Sequence, residues 1–363
     1  MLKKAVSYLL LVLLIINVYI FAALAAQSTL PAVETFLRSP GMNEWVSQLH
    51  AGMGDRIECV TYVTLPENFS DYESYYFCLT EELSPGLIYE ADSADIALYA
   101  LDGANLTEYF TVEETREGLT ATCTDLRGIS QLDKDSTLAF SFAVTLSTKA
   151  VLGNPGNRVR SILEYSNDPK AQQSSLGCTE AVSATVFTYG LQICKVDMDT
   201  QLPVAEVEFC LRNEAGLYLL VREQNSVGSW VAEERKASTL VTDDAGQATI
   251  RGLDPGVYYL KETKAANGYQ ILEEALELTL TAEYSADGQV KNLLVAKGTE
   301  DPVASHEDHF AVAKLQVENT YGPELPPTGG AGASLYYIFG FLAIFAVCLI
   351  CVAKYRAGDP SAA

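Results

Sequence analysis

The chain has 363 residues, with 47 Asp and Glu against 24 Lys and Arg, for a formal net charge of -23. So acidic a chain repels phosphate backbones and anionic lipid surfaces, which excludes nucleic acid and such membranes as electrostatic partners. With 3 histidines and no Gly-x-Ser-x-Gly elbow, hydrolytic catalysis has no constellation to rest on.

At the N-terminus, Lys3 and Lys4 precede an apolar stretch over residues 6–24, and Ala23-Leu24-Ala25 sets a small-x-small pattern before Ala26. This is the layout of a secretory signal peptide, residues 1–26, removed from the mature protein. The length of the apolar stretch leaves an uncleaved membrane anchor as the alternative.

Residues 27–190 read as a first domain. Runs such as Cys59-Val60-Thr61-Tyr62-Val63-Thr64 and Leu138-Ala139-Phe140-Ser141-Phe142-Ala143-Val144 alternate in character and are separated by Gly, Pro, Asn and Asp. Short strands at such spacing predict an all-β sandwich of immunoglobulin-like type. A short helix is expected around residues 42–49. Gly54-Asp55, the stretch Thr80-Glu81-Glu82-Leu83-Ser84-Pro85-Gly86-Leu87, and Gly153-Asn154-Pro155-Gly156-Asn157 leading to Leu163-Glu164-Tyr165-Ser166-Asn167-Asp168-Pro169 resemble the isopeptide-forming domain of fimbrial subunits. The resemblance implies a lysine before the Gly-Asp pair, an acid aligned with Glu81 and an acceptor near Asn167. Here no lysine occurs between Lys4 and Lys134. No crosslink through Glu81 and Asn167 is therefore expected. A Tyr-Pro-Lys-like polymerisation motif is also missing, and the contexts of Lys149 and Lys170 do not match one, which leaves a basal or accessory subunit as open as a shaft subunit.

Residues 191–321 read as a second sandwich, and strand alternation gives its faces. Lys195 shares a face with Leu191 and Ile193, Glu262 with Tyr258 and Leu260, and Asn319 with Leu315 and Val317. Three polar groups thus fall on apolar faces of three strands. They either sit at strand ends and reach water or form a buried reactive group, in which a desolvated lysine loses its proton and becomes a nucleophile. Asp243-Asp244-Ala245-Gly246 and Ser285-Ala286-Asp287-Gly288 have the composition of tight turns. The segments Cys194-Lys195-Val196-Asp197, Val204-Ala205-Glu206-Val207-Glu208-Phe209-Cys210-Leu211, Gly256-Val257-Tyr258-Tyr259-Leu260-Lys261-Glu262-Thr263, Ala266-Asn267-Gly268-Tyr269 and Val317-Glu318-Asn319 resemble the B-type collagen-adhesin repeat, a SpaA-like pilin domain of Gram-positive surface proteins. That resemblance implies an intramolecular isopeptide bond between Lys195 and Asn319, assisted by Glu262.

Of 8 cysteines, Cys348 and Cys351 fall in the C-terminal apolar segment. In an exported chain the remaining ones are free to form disulfides. Cys194 and Cys210 are candidates to pair across a hairpin, and Cys59, Cys78, Cys123 and Cys178 then pair in one of three ways; free buried thiols are the alternative. His306-Glu307-Asp308-His309 reads as a solvated turn, since no further ligand with recognisable spacing accompanies it. No metal or cofactor is expected.

The C-terminus closes with a linker, residues 322–334, holding Leu325-Pro326-Pro327-Thr328-Gly329, then an apolar segment 335–353 of membrane-spanning length and a basic tail, 354–363. These three parts in this order resemble a sortase sorting signal of the Leu-Pro-any-Thr-Gly type. The resemblance implies recognition of Leu325 and Pro326 and cleavage between Thr328 and Gly329. The chain accordingly reads as a secreted pilin-like protein anchored in peptidoglycan, a substrate of sortase and not an enzyme with turnover. Its expected partners are sortase and peptidoglycan or other pilin subunits, and a stand-alone adhesin for a host glycan or protein is the alternative.

Overall fold

The computed structural model describes residues 29–322, apart from 100–102, 135, 171–174, 223–226, 286–288 and 305–310, together with residues 344–345. The signal peptide, the His306 to His309 turn, the sorting residues Leu325, Pro326, Thr328 and Gly329, and the tail lie outside the described residues.

The first half of the chain forms β1 (Ala32–Arg38), β2 (Gln48–His50), β3 (Arg56–Thr64), β4 (Phe77–Leu83), β5 (Leu87–Tyr89) and β6 (Asp95–Leu98). It continues through β7 (Thr111–Thr115), β8 (Gly118–Cys123), β9 (Thr137–Leu146), β10 (Asn157–Ser166), β11 (Leu176–Cys178) and β12 (Val182–Phe187). One sheet runs β1-β3-β9-β5, with β6 also on β9; the facing sheet runs β2-β12-β10-β4-β8-β7, with β11 on β10. Alternation dictates the packing: β10 turns Val159, Ser161 and Leu163 inward and Arg158, Arg160 and Glu164 outward. The inward side chains of both sheets close one apolar core that includes Leu37, Ile57, Phe77, Leu79, Phe140 and Leu163.

The second half forms β13 (Tyr189–Asp197), β14 (Glu208–Asn213), β15 (Tyr218–Arg222), β16 (Val227–Val231), β17 (Leu240–Val241) and β18 (Gln247–Leu253). After these come β19 (Gly256–Lys264), β20 (Leu276–Tyr284), β21 (Val290–Lys297), β22 (Val303–Ala304) and β23 (Val312–Asn319). The sheet β18-β13-β23 packs over the sheet β16-β15-β14-β19-β20-β21-β22, which also carries β17 on β14. A separate apolar core, from Phe187 to Val317, lies between them. The chain is thus an all-β tandem of two sandwiches. In the second, the first strand β13 and the last strand β23 run parallel, in register from Gly190 against Val312 to Asp197 against Asn319. A parallel pair needs a long crossover, and here the whole domain is that crossover.

The expected helix at 42–49 does not form. Leu37 and Val46 exchange backbone hydrogen bonds of 2.7 and 2.9 Å, Arg38 stacks over Trp45, and residues 48–50 join β12 as a parallel edge strand. Backbone pairing across the sheet edge outweighs a local preference that was weak from the start. At the expected turns, Gly246 N–H donates to Asp243 O at 2.8 Å with a φ of +69°, and Ser285 N–H donates to Gln289 O at 2.9 Å.

The two sandwiches meet along a seam built on small residues. Gly54, at φ +86°, lies so close to Gly228 that a Cβ there would sit 1.9 Å from the Gly228 carbonyl oxygen, and a Cβ on Gly228 would sit 2.4 Å from the Met53 sulfur. Met53 N–H donates to Gly252 O at 2.7 Å, and the Asn154 side chain both donates to and accepts from the backbone of Val290. His50 Nδ1 lies 3.1 Å from the Tyr189 hydroxyl and 3.3 Å from that of Tyr284.

Candidate functional site

Lys195 lies on the strand face that buries Leu191 and Ile193: its side chain is 0% exposed, and Glu262 and Asn319 are each 2% exposed. All three point into the apolar core of the second sandwich. Lys195 Nζ donates to Asn319 Oδ1 at 2.7 Å and to Glu262 Oε2 at 3.1 Å, while Asn319 Nδ2 donates to Glu262 Oε1 at 2.9 Å. The three groups therefore close a ring of hydrogen bonds. Lys195 and Asn319 come from the adjacent parallel strands β13 and β23, two positions apart in register, and Glu262 reaches them from β19 in the facing sheet. Phe209 covers the ammonium, 5.6 Å from its ring centroid to Nζ.

Burial pushes the Lys195 amine below its ordinary value, against the pull of Glu262, which raises it. The cause is desolvation: a charged ammonium loses more on leaving water than a neutral amine does. Such a group sheds its proton most readily to the carboxylate beside it. A neutral amine next to an amide carbonyl, with a carboxyl bridging both, has the parts needed for acyl transfer. Among the described residues no three His, Cys, Asp or Glu side chains come together as a metal-binding group.

In the first domain Glu81 is also buried, but Asn167 is not beside it. Asn167 is exposed past the end of β10 and accepts a hydrogen bond from Ser175. Glu81 instead meets hydroxyls: Ser161 Oγ donates to its Oε2 at 2.6 Å, and Thr35 and Thr61 lie behind Ser161. Reading the sequence overlooked these hydroxyls. The signal was present in the alternation, since Thr61 falls on the Cys59 and Val63 face and Ser161 on the Val159 and Leu163 face.

The cysteines correct one expectation. Cys194 and Cys210 are both free thiols, as are Cys59, Cys78, Cys123 and Cys178. Cys194 sits on β13 opposite Gln247 and Gln316, whereas Cys210 sits on β14 opposite Lys261, in the other sheet. The connection between their strands is short, but it crosses from sheet to sheet and makes no hairpin.

Residues 190–292 match the family model of the SpaA prealbumin-like fold domain. The trypsin-resistant surface T6 protein of Streptococcus pyogenes serotype M6 is 22% identical over 323 residues, which cover 84% of this chain and 56% of that protein. The chain thus spans about half the length of that curated relative. Among solved structures, the pilus 2b backbone protein of group B streptococcus matches with a TM-score of 0.57 at 20% identity, over 82% of this chain and 99% of that one. The pilus backbone RrgB of Streptococcus pneumoniae matches with a TM-score of 0.53 at 14% identity, over 80% of this chain and 100% of that one. The tandem sandwich is therefore a fold shared with Gram-positive pilus backbone proteins.

Proposed function

We propose that the chain is a pilin-type surface subunit whose second domain closes itself with an amide bond between Lys195 and Asn319, and which sortase joins to peptidoglycan or to other pilins. The observation that carries this reading is the buried ring in which Lys195 on the first strand and Asn319 on the last strand of the second sandwich meet Glu262 from the facing sheet, in a domain whose residues 190–292 match the SpaA model.

The chemistry balances within these three side chains. Lys195 passes a proton to Glu262, and the neutral amine attacks Cγ of Asn319. The new Nζ–Cγ bond forms as the Cγ–Nδ2 bond breaks. Glu262 hands its proton to Nδ2 and takes the second amine proton, and Nδ2 leaves as ammonia. Glu262 acts once in each chain, so the step is a single event and not turnover. The crosslink joins the first strand of the domain to its last, so tension applied across the domain runs through a covalent path and bypasses the sheets.

The domain reading is 27–190 for the first sandwich and 191–321 for the second, with 322–334 as the linker that carries Leu325, Pro326, Thr328 and Gly329 to the sortase. Proteolysis of the chain should release a branched peptide joining the Lys195 and Asn319 segments. Fractionation of expressing cells should place the parent in the wall fraction, and a Thr328→Ala variant in the membrane or medium. Recovery of two separate linear peptides would sink the crosslink, and an unchanged wall fraction for Thr328→Ala would sink the anchoring step.

A further inference from the structure

Each sandwich sets a buried glutamate among polar side chains in its core, Glu262 in the second and Glu81 in the first. In the second domain those side chains are an amine and an amide. In the first they are hydroxyls. Thr35 on β1 and Thr61 on β3 are direct register partners with their Oγ1 atoms 3.2 Å apart. Ser161 Oγ lies 2.6 Å from Thr35 Oγ1 and 3.1 Å from Thr61 Oγ1, and it is paired in register with Glu81 on β4. Glu81 is 1% exposed; one of its oxygens accepts from Ser161, and the other, Oε1, is buried with no hydrogen-bond partner.

Among the described residues no cation balances this carboxyl, and the buried polar side chains of the first domain are hydroxyls, one amide and Glu81 itself. Of the groups facing Glu81 from β1, β3, β8 and β10, Leu119 on β8 is apolar, Thr35, Thr61 and Ser161 are hydroxyls, and Cys59 on β3 is the one described group that titrates. The Cys59 thiol is fully buried and pushed well above its ordinary value, first by burial and then by Glu81, so it stays neutral. Arg56 and Glu58 flank Cys59 from the outer face of β3, where Arg56 pairs with Glu58 and Glu90 and Glu58 also with Arg38. An ionised carboxylate in this setting would be a desolvated charge with one oxygen bare. A neutral acid leaves only an unpartnered polar atom.

We infer that the folded first domain carries Glu81 as a neutral carboxylic acid, and that the domain is in consequence a proton-responsive element, tightening as its surroundings acidify and loosening as they turn alkaline. Burial raises this carboxyl from 4.5 to about 7, with the Ser161 and Thr61 hydroxyls drawing it back down in part. In the unfolded chain the same group ionises at its ordinary value. Between the two values unfolding releases a proton, so each rise in pH favours the unfolded state; below the ordinary value this group has no influence, and above about 7 its full penalty is present. The second domain offers the same force-bearing chain a covalent path, whereas the first offers one that the proton tunes.

Hydrogen exchange of the full chain, followed by mass spectrometry on peptides from β4 and β10, tests this directly. After correction for intrinsic rates, protection in the parent should fall on the order of 50-fold between pH 5 and pH 8. Glu81→Gln, which keeps the shape and carries no proton to lose, should abolish that fall. An equal slope in parent and variant overturns the inference. Should the variant not fold, the carboxyl band of the parent in the infrared decides: a protonated acid persisting at pH 6 supports it, and full ionisation there overturns it.

Discussion

Replacing Glu262 by Gln keeps the size of the side chain and removes the group that carries the proton from Lys195 to the departing amide nitrogen. Without the transfer no bond forms, and the chain between the two strands regains its freedom in the unfolded state. The two residues are 124 positions apart. Closing a loop of that length removes entropy worth about 5 kcal/mol at 25 °C. For a domain of this size such a loss lowers the melting temperature by roughly 15–25 °C. The lysine left behind has no carboxylate, but it is already disposed to be neutral, so its burial adds little that an amine cannot escape by losing its proton. The two tryptophans allow the domains to be watched separately by fluorescence: Trp45 packs under Arg38 in the first, and Trp230 stacks on Tyr258 in the second. The Trp230 transition should move by the stated amount while the Trp45 transition moves far less. A Trp230 transition within a few degrees of the parent would refute the reasoning, because a domain without a covalent closure has nothing to lose at Glu262 but a hydrogen-bond partner.

The seam between the domains makes a second prediction. Gly54→Ala combines a positive φ with a Cβ driven into the Gly228 carbonyl, so it should cost about 1–3 kcal/mol and widen the solution scattering profile of the chain as the sandwiches part. An unchanged profile would mean that the seam does not hold the two together. His50 gives a third. Burial lowers its value below 6.5, with Asp254 raising it in part, so the folded state favours the neutral ring. Stability from this contact is then fully present above pH 6.5 and is lost as pH falls through the lower folded value. His50→Phe should flatten the acid side of the interdomain transition, and an identical acid limb would count against the assignment. Thiol labelling gives a fourth: Cys178 is exposed and should react in the native chain, whereas Cys59, fully buried, should react only on unfolding. Protection of Cys178 from the reagent until a reductant is added would contradict the free thiols.

The all-β class and the core-facing set of the second domain were legible because a strand has a period of two. Lys195, Glu262 and Asn319 each share a parity with apolar neighbours, which puts them on inward faces; that they are buried and not reaching water at strand ends comes from the structure. What parity does not give is which strands lie side by side. Cys194 and Cys210 illustrate the gap: each face was readable, but the chain between them changes sheets, so closeness in sequence did not become closeness in space. Asn167, the position that the resemblance aligns with an acceptor, lies beyond the last inward position of β10, where Ser166 is already the end of the strand. The Glu81 cluster escaped because Thr and Ser are common on both faces of strands. A hydroxyl announces burial far less clearly than a lysine among leucines.

The central claim is the bond between Lys195 and Asn319, and the intact mass of the chain under reducing conditions tests it most directly. The account predicts a deficit of one ammonia in the parent and the full mass, corrected for the substitution, in Lys195→Ala and Glu262→Ala. A parent at its full unmodified mass would contradict it and leave the three residues as a buried ion pair with an amide beside it.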